Sequence, residues 1–172
     1  MSTLAVVYAI TSQEPAPQVS SHESAAKVSE IDGYRSWHLV NKEPVLIEPA
    51  LSFLCAQIIT KEPPNPHSRK YIKVYVNDIG KKAMLSEKPI VFPVGSIIVK
   101  EKFEKGADKK PELLTIMIKR AISAPPSVQD WEFLTSTDQK HITKGGDVSH
   151  CVSCHTEQPK TDFVYKSYLD KK

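Results

Sequence analysis

Apolar and polar residues alternate along the middle of the chain. In Tyr71-Ile72-Lys73-Val74-Tyr75-Val76 the aliphatic residues Ile72, Val74 and Val76 fall on one side and Tyr71, Lys73 and Tyr75 on the other. That is the two-residue period of a half-buried strand. Ser96–Glu101, Leu113–Lys119 and Trp131–Thr135 predict three more strands, separated by Phe92-Pro93-Val94-Gly95, the Gly106-Ala107-Asp108 stretch with Pro111, and Pro125-Pro126. Two segments carry a helical period instead. Glu48-Pro49 opens one in which Leu51, Leu54, Cys55 and Ile58 share a face, and Pro63-Pro64-Asn65-Pro66 ends it. Asn77-Asp78 can cap a second, short helix through Lys82-Ala83-Met84-Leu85. Trp37 and Tyr34, three apart, predict a small amphipathic turn beside the core.

Strands joined by loops of moderate length favour antiparallel pairing, because parallel connections need a dozen or more residues. The expected class is therefore α+β: a twisted antiparallel sheet flanked by helices near the N- and C-termini. A final helix is expected after Thr161-Asp162, carrying Phe163, Val164, Tyr165, Tyr168 and Leu169. Residues 1–28 are rich in Ser, Pro, Gln, Glu and Ala beyond a short apolar stretch, and read as a flexible leader; residues 29–172 read as one domain.

The composition agrees with a folded domain. Of 172 residues, 40% are hydrophobic and 25% charged, enough to build a core. The net charge of +3 is spread along the chain, with no basic stripe interleaved with aromatics, so nothing points to nucleic acid. A weak attraction to an acidic partner, such as another redox protein, is all this charge supports. No apolar run is long enough to span a membrane. Leu4–Ile10 resembles the end of a secretory h-region, but no Lys or Arg precedes Lys27. The expectation is an exported, periplasmic protein whose start is clipped or misassigned.

The chemistry concentrates near the C-terminus, in Cys151-Val152-Ser153-Cys154-His155. Two cysteines three apart with a histidine after the second form the attachment site of a c-type haem. The thiols add to the two vinyl groups and the imidazole takes the axial position on iron. The chain has three cysteines; haem uses Cys151 and Cys154 and leaves Cys55, a small core residue. Zinc is the rival reading, with His150, Cys151, Cys154 and His155 as ligands, but adjacent ligands bend poorly around one tetrahedral ion. A thiol-redox pair is a further alternative, set against the motif's position outside any βαβ unit. No methionine follows His155 to act as a sixth ligand, and Met84 and Met117 sit among aliphatic neighbours as core residues. His38 reads as a surface or capping residue, and His67 has no role.

Tyr71–Asn77, Phe92–Glu101, Leu113–Arg120, Asp130–Leu134 and Cys151–Leu169 together resemble the cytochrome P-460 family, which includes the cytochromes c′-beta. The most specific parts are Phe92-Pro93-Val94-Gly95-Ser96-Ile97-Ile98-Val99-Lys100-Glu101, and the late haem motif followed by Asp162-Phe163-Val164-Tyr165. The resemblance implies one covalently attached haem c, His155 as axial ligand, an open distal face and a homodimer. Cytochromes P-460 link a lysine to the porphyrin and oxidise hydroxylamine, whereas c′-beta proteins lack the link and bind gases such as nitric oxide. Lys100 matches the linking lysine. It shares its strand face with Ile98, where an unmodified lysine is costly, although Lys102 follows on that face and both can simply point to solvent.

Three functional classes stay open: oxidation of hydroxylamine or a similar small nitrogen compound, gas binding without turnover, and electron transfer. For proton acceptance, Glu101, Glu112 and Glu132 are equally arguable.

Overall fold

The alternating segments pair into one sheet because their apolar sides fall in register. The computed structural model describes residues 29–46, 70–104, 110–121, 127–142, 148–167 and 169. Its strands are β1 (His38–Leu39), β2 (Val45–Leu46), β3 (Tyr71–Val76), β4 (Ile97–Phe103), β5 (Leu113–Lys119), β6 (Ser127–Val128) and β7 (Trp131–Ser136). They form a 7-stranded sheet in the order β1-β3-β4-β5-β7-β6, with β2 also on β3. Every pairing is antiparallel. Two α-helices are described, α1 (Asp78–Leu85) and α2 (Ser149–Thr156). The class is α+β, as expected.

Cross-strand partners point to the same side of a sheet, so the register defines the faces. Val76, Ile98, Met117 and Phe133 form one row; Val74, Lys100, Thr115 and Thr135 form the next, and Ile72, Lys102 and Leu113 lie beyond. This first face packs against Ala83 and Met84 of α1, Val148, and Cys151 and Val152 of α2. The second face carries Tyr75, Val99, Leu114, Ile116 and Leu134, covered by Ile31, Tyr34 and Ile142. The central strands are therefore buried on both sides.

The edge beside β3 is a broken strand. Between β1 and β2 the amide of buried Asn41 accepts from Val74 N at 2.8 Å and donates to Ile72 O at 2.9 Å. It thereby satisfies the ladder groups that the interruption leaves exposed. Helix α1 starts at Asn77, whose Oδ1 accepts from Gly80 N and Ile97 N, both at 3.1 Å. Gly80 lies so close to the sheet that a Cβ there would sit 2.9 Å from Val76 Cγ2. β6 and β7 are joined by Gln129 and Asp130, both left-handed at φ 45° and 66°, the two-residue hairpin geometry that matches strand twist.

Two expectations need correcting. Among the described residues no helix follows Thr161: a 3-10 turn, Pro159–Thr161, leads into Asp162 and Phe163, both left-handed at φ 52° and 64°, and residues 164–166 are irregular. Two left-handed residues in succession cannot extend a right-handed helix. Nor does Asp162 cap one, because its carboxylate is engaged elsewhere. Helix α2 lies near the C-terminus and α1 connects β3 to β4, while the helix expected nearer the N-terminus falls outside the described residues. Lys102 does not point to solvent; it is 3% exposed. The helix expected from Pro49, with Cys55, the loop holding His67, and Tyr168 all lie outside the described residues. His38 belongs to the short strand β1 and is half-buried.

Glu101 faces away from α2 and is 2% exposed. Its Oε1 accepts from Tyr34 Oη at 2.7 Å and from Arg35 Nε at 2.8 Å. Burial and the neighbouring carboxylate hold the Tyr34 hydroxyl well above its ordinary pKa. Tyr34→Phe removes a hydrogen bond to a charged acceptor and is expected to cost about 2 kcal/mol in urea unfolding. A loss below about 0.5 kcal/mol would show that the Arg35 contact suffices for Glu101.

Candidate functional site

Helix α2 arranges the cysteines and the histidine on one surface. Cys151 and Cys154 are separated by i, i+3 and Cys151 and His155 by i, i+4, the spacings that bring side chains together along one face. Both cysteines are partly exposed. Two C-terminal carbonyls of α2 are satisfied: Glu157 N donates to Cys154 O and Gln158 N to His155 O, and Tyr165 Oη donates to Cys154 O at 2.9 Å. Tyr165 thus ties the segment after the motif onto the motif itself.

His155 lies between aromatic rings. Its imidazole is 5.1 Å from the Phe133 centroid and 5.1 Å from that of Tyr165, the latter edge-on. Nδ1 lies 2.6 Å from Phe163 O. A carbonyl can only accept, so this contact puts the proton on Nδ1 and leaves the Nε2 lone pair for a metal. Burial, followed by the charge of Lys100, lowers the His155 pKa to about 4, which keeps the ring neutral as ligation requires.

The carbonyl acceptor comes from the left-handed pair. A non-glycine residue at positive φ costs about 1–3 kcal/mol, more readily tolerated for Asp than for Phe. The pair is anchored at Asp162: Oδ1 lies 3.0 Å from Lys119 Nζ, Oδ2 accepts from Phe92 N at 2.8 Å, and the Asp162 carbonyl accepts from Trp131 Nε1 at 2.8 Å.

Lys100 and Lys102 both project from the first face of the sheet, toward the side occupied by α2. Lys100 stands in the row between Val74 and Thr115, next to the row that ends in Phe133, and is half-buried. Its charge acts on His155, so the two residues that the motif and the resemblance single out share one region. Lys102, buried, has its pKa pushed down to about 8, chiefly by burial and further by Lys100 and Lys70, against the opposing charges of Glu112 and Cys151.

The structure separates the three carboxylates. Glu101 and Glu132 share a face with Lys73 and Ile118, turned away from His155, and each meets an arginine: Arg35 for Glu101, Arg120 for Glu132. Glu112 pairs with Lys70 at 2.9 Å, and its charge reaches Lys102 on the first face. Of the three, Glu112 is the one coupled to the pocket side. Met84 and Met117 are both buried in the core, as expected. Among the described residues no three His, Cys, Asp or Glu side chains converge as a metal cluster requires, although His150, Cys151, Cys154 and His155 are all described. The zinc reading has no geometric support.

A scan against known protein families matches cytochrome P460 over residues 31–166. The chain belongs to the cytochrome P460 family. No curated protein matches it. Membership makes it a c-type haem protein, and the donor set fits that cofactor: a neutral imidazole with Nε2 available, the Cys151 thiol one helical turn before it and the Cys154 thiol at the adjoining position. No described helix is long and apolar enough to cross a membrane.

Sequence reasoning missed Phe133 as a wall of the histidine. Phe133 was legible in principle, because strand parity places it with Trp131 on the inner face of β7. The hydrogen bond from His155 to Phe163 was not legible, because it depends on two left-handed residues that no local pattern announces.

Proposed function

We propose that Cys151 and Cys154 hold one haem c through thioethers, that His155 is its axial ligand, and that the opposite face of the iron meets small nitrogen compounds. The observation that carries this is the His155–Phe163 hydrogen bond, which commits Nδ1 and orients Nε2 as a ligand. When bound, haem supplies the redox centre. The chain supplies attachment at Cys151 and Cys154, a fixed imidazole, and aromatic walls at Phe133 and Tyr165 that restrict water around His155.

The preferred activity is hydroxylamine oxidation, with Lys100 linked to the porphyrin. Supporting it, Lys100 lies on the sheet face toward α2, close enough for its charge to act on His155. Glu112 is the carboxylate assigned to proton traffic. The second reading is nitric oxide binding without a link, favoured by the orientation of Glu101 and Glu132 away from the site. In both readings the protein is exported, forms a homodimer, and exchanges electrons with a redox partner if it turns over.

The test is the spectrum of the holoprotein and of Lys100→Ala. A red-shifted Soret band that returns to the ordinary c-type position in Lys100→Ala is expected, together with hydroxylamine oxidation by the unsubstituted protein with an artificial electron acceptor. An identical spectrum in both proteins removes the link, and with no turnover leaves the gas-binding reading.

A further inference from the structure

We infer that Asp162 is a positioning residue for the axial histidine: its buried ion pair with Lys119 pins the left-handed Asp162-Phe163 step, and that step holds the Phe163 carbonyl against His155 Nδ1. The inference rests on His155 serving as the haem ligand.

Asp162 is fixed at every polar atom of its side chain. Oδ1 meets Lys119 Nζ at 3.0 Å, with the two side chains 8% and 7% exposed, and Oδ2 accepts from Phe92 N at 2.8 Å. Lys119 is itself aligned, donating to Gln129 O at 2.7 Å and lying 5.2 Å from the Trp131 ring centroid. The backbone is fixed too: the Asp162 carbonyl accepts from Trp131 Nε1, and Phe163 N donates to Gln158 O, both at 2.8 Å. Apart from Gln158, the anchors come from β5, β7 and the segment before β4, so the turn is referenced to the sheet as well as to the end of α2.

This matters because the turn is unfavourable left to itself. Two consecutive non-glycine residues at φ 52° and 64° persist only where their surroundings determine them. Without the anchors the step relaxes, the Phe163 carbonyl rotates, and Nδ1–H loses its acceptor. A histidine that donates from Nδ1 to a fixed carbonyl is a stronger donor through Nε2, which favours ferric iron and lowers the reduction potential. A buried ion pair is in general weak support for stability, since apolar replacements often match it. Its presence here, one residue from the acceptor of the axial histidine, is accounted for by orientation.

The experiment compares the full-length protein with Asp162→Ala, Asp162→Asn and Lys119→Met. Thioether attachment is checked by mass, the midpoint potential by spectroelectrochemistry, and the His155 tautomer by ¹⁵N NMR. Asp162→Ala should shift the ferric/ferrous equilibrium about tenfold toward ferrous, equivalent to about 59 mV for a one-electron couple. Asp162→Asn keeps one side-chain oxygen to accept from Phe92 N but loses the ion pair with Lys119, and should move the potential in the same direction by less. Lys119→Met should move it in the same direction as Asp162→Ala by less. An unchanged potential in haem-loaded Asp162→Ala overturns the inference; if that variant does not fold, an unchanged potential in Lys119→Met does. If the unsubstituted chain carries no haem, the haem-ligand reading fails separately. The Nδ1 proton of the haem-free chain then decides: its loss in Asp162→Ala supports the positioning, and its persistence overturns it.

Discussion

Replacing both Cys151 and Cys154 with alanine is expected to abolish the haem adduct in the mass of the denatured chain. Each single replacement leaves one thioether, so the adduct survives with one vinyl group unreacted. The distinction is chemical. A thioether withstands denaturation, whereas axial coordination through His155 does not, so mass spectrometry of the unfolded chain reads the cysteines alone. His155→Gly provides the complementary result: the adduct is retained, the axial ligand is lost, and added imidazole restores the absorption spectrum. The geometry behind the prediction is the helical face shared by Cys151, Cys154 and His155, with the imidazole held by Phe163 O at 2.6 Å. Metal analysis closes the argument. Stoichiometric zinc in place of an iron porphyrin would return the motif to a ligand cluster that these residues do not form.

The fold was legible where the signal is local. Tyr71–Val76 alternates because its two faces differ, Leu113–Lys119 and Trp131–Ser136 stand out as short strand-forming runs bounded by loops, and Asn77 announces α1 through a side chain that caps it. The short strands β1, β2 and β6 have two residues each, too few for a period, and exist because longer neighbours offer them a ladder. The turn after α2 defeated pattern reading for a related reason. Phe163, Val164 and Tyr165 have the residue types of a helix face, but Asp162 is drawn to Lys119 and Phe92, both distant in sequence, and the backbone follows. Tertiary anchoring here outweighs local propensity.

The site shows the same division. Cys151, Cys154 and His155 could be read because their chemistry depends on spacing within one helical turn. Glu101, Glu112 and Glu132 could not be ranked, because their roles depend on which sheet face each occupies and which cation lies opposite. Strand parity does place Lys100 and Lys102 together, yet parity says nothing of what covers them. Lys102 turned out to be buried because a core surrounds its side of the sheet, a fact that belongs to the assembled fold.

That burial has a measurable consequence. In the haem-free Cys151→Ala, Cys154→Ala background, a further Lys102→Met replacement is expected to stabilise the folded chain at neutral pH. The cause is an ammonium 3% exposed whose pKa falls from 10.5 to about 8. At about 1.4 kcal/mol for each tenfold in proton affinity, the drop amounts to about 3 kcal/mol. Below pH 8 both folded and unfolded chains are protonated at Lys102, so the penalty is present in full. Between about pH 8 and 10.5 the folded chain releases the proton while the unfolded chain keeps it, and stability rises with pH. The methionine variant lacks this rise, so the two stability curves converge toward pH 10.5. Urea unfolding followed by far-ultraviolet circular dichroism at pH 7 and pH 10.5 measures the difference. Equal gains at both values would assign the effect to packing and not to charge; no gain at pH 7 would mean that water reaches the ammonium. A lysine that weakens the fold on the face turned toward His155 is a local inconsistency of the kind that collects at functional sites. Lys102 therefore marks the pocket by its cost, as the motif marks it by its spacing.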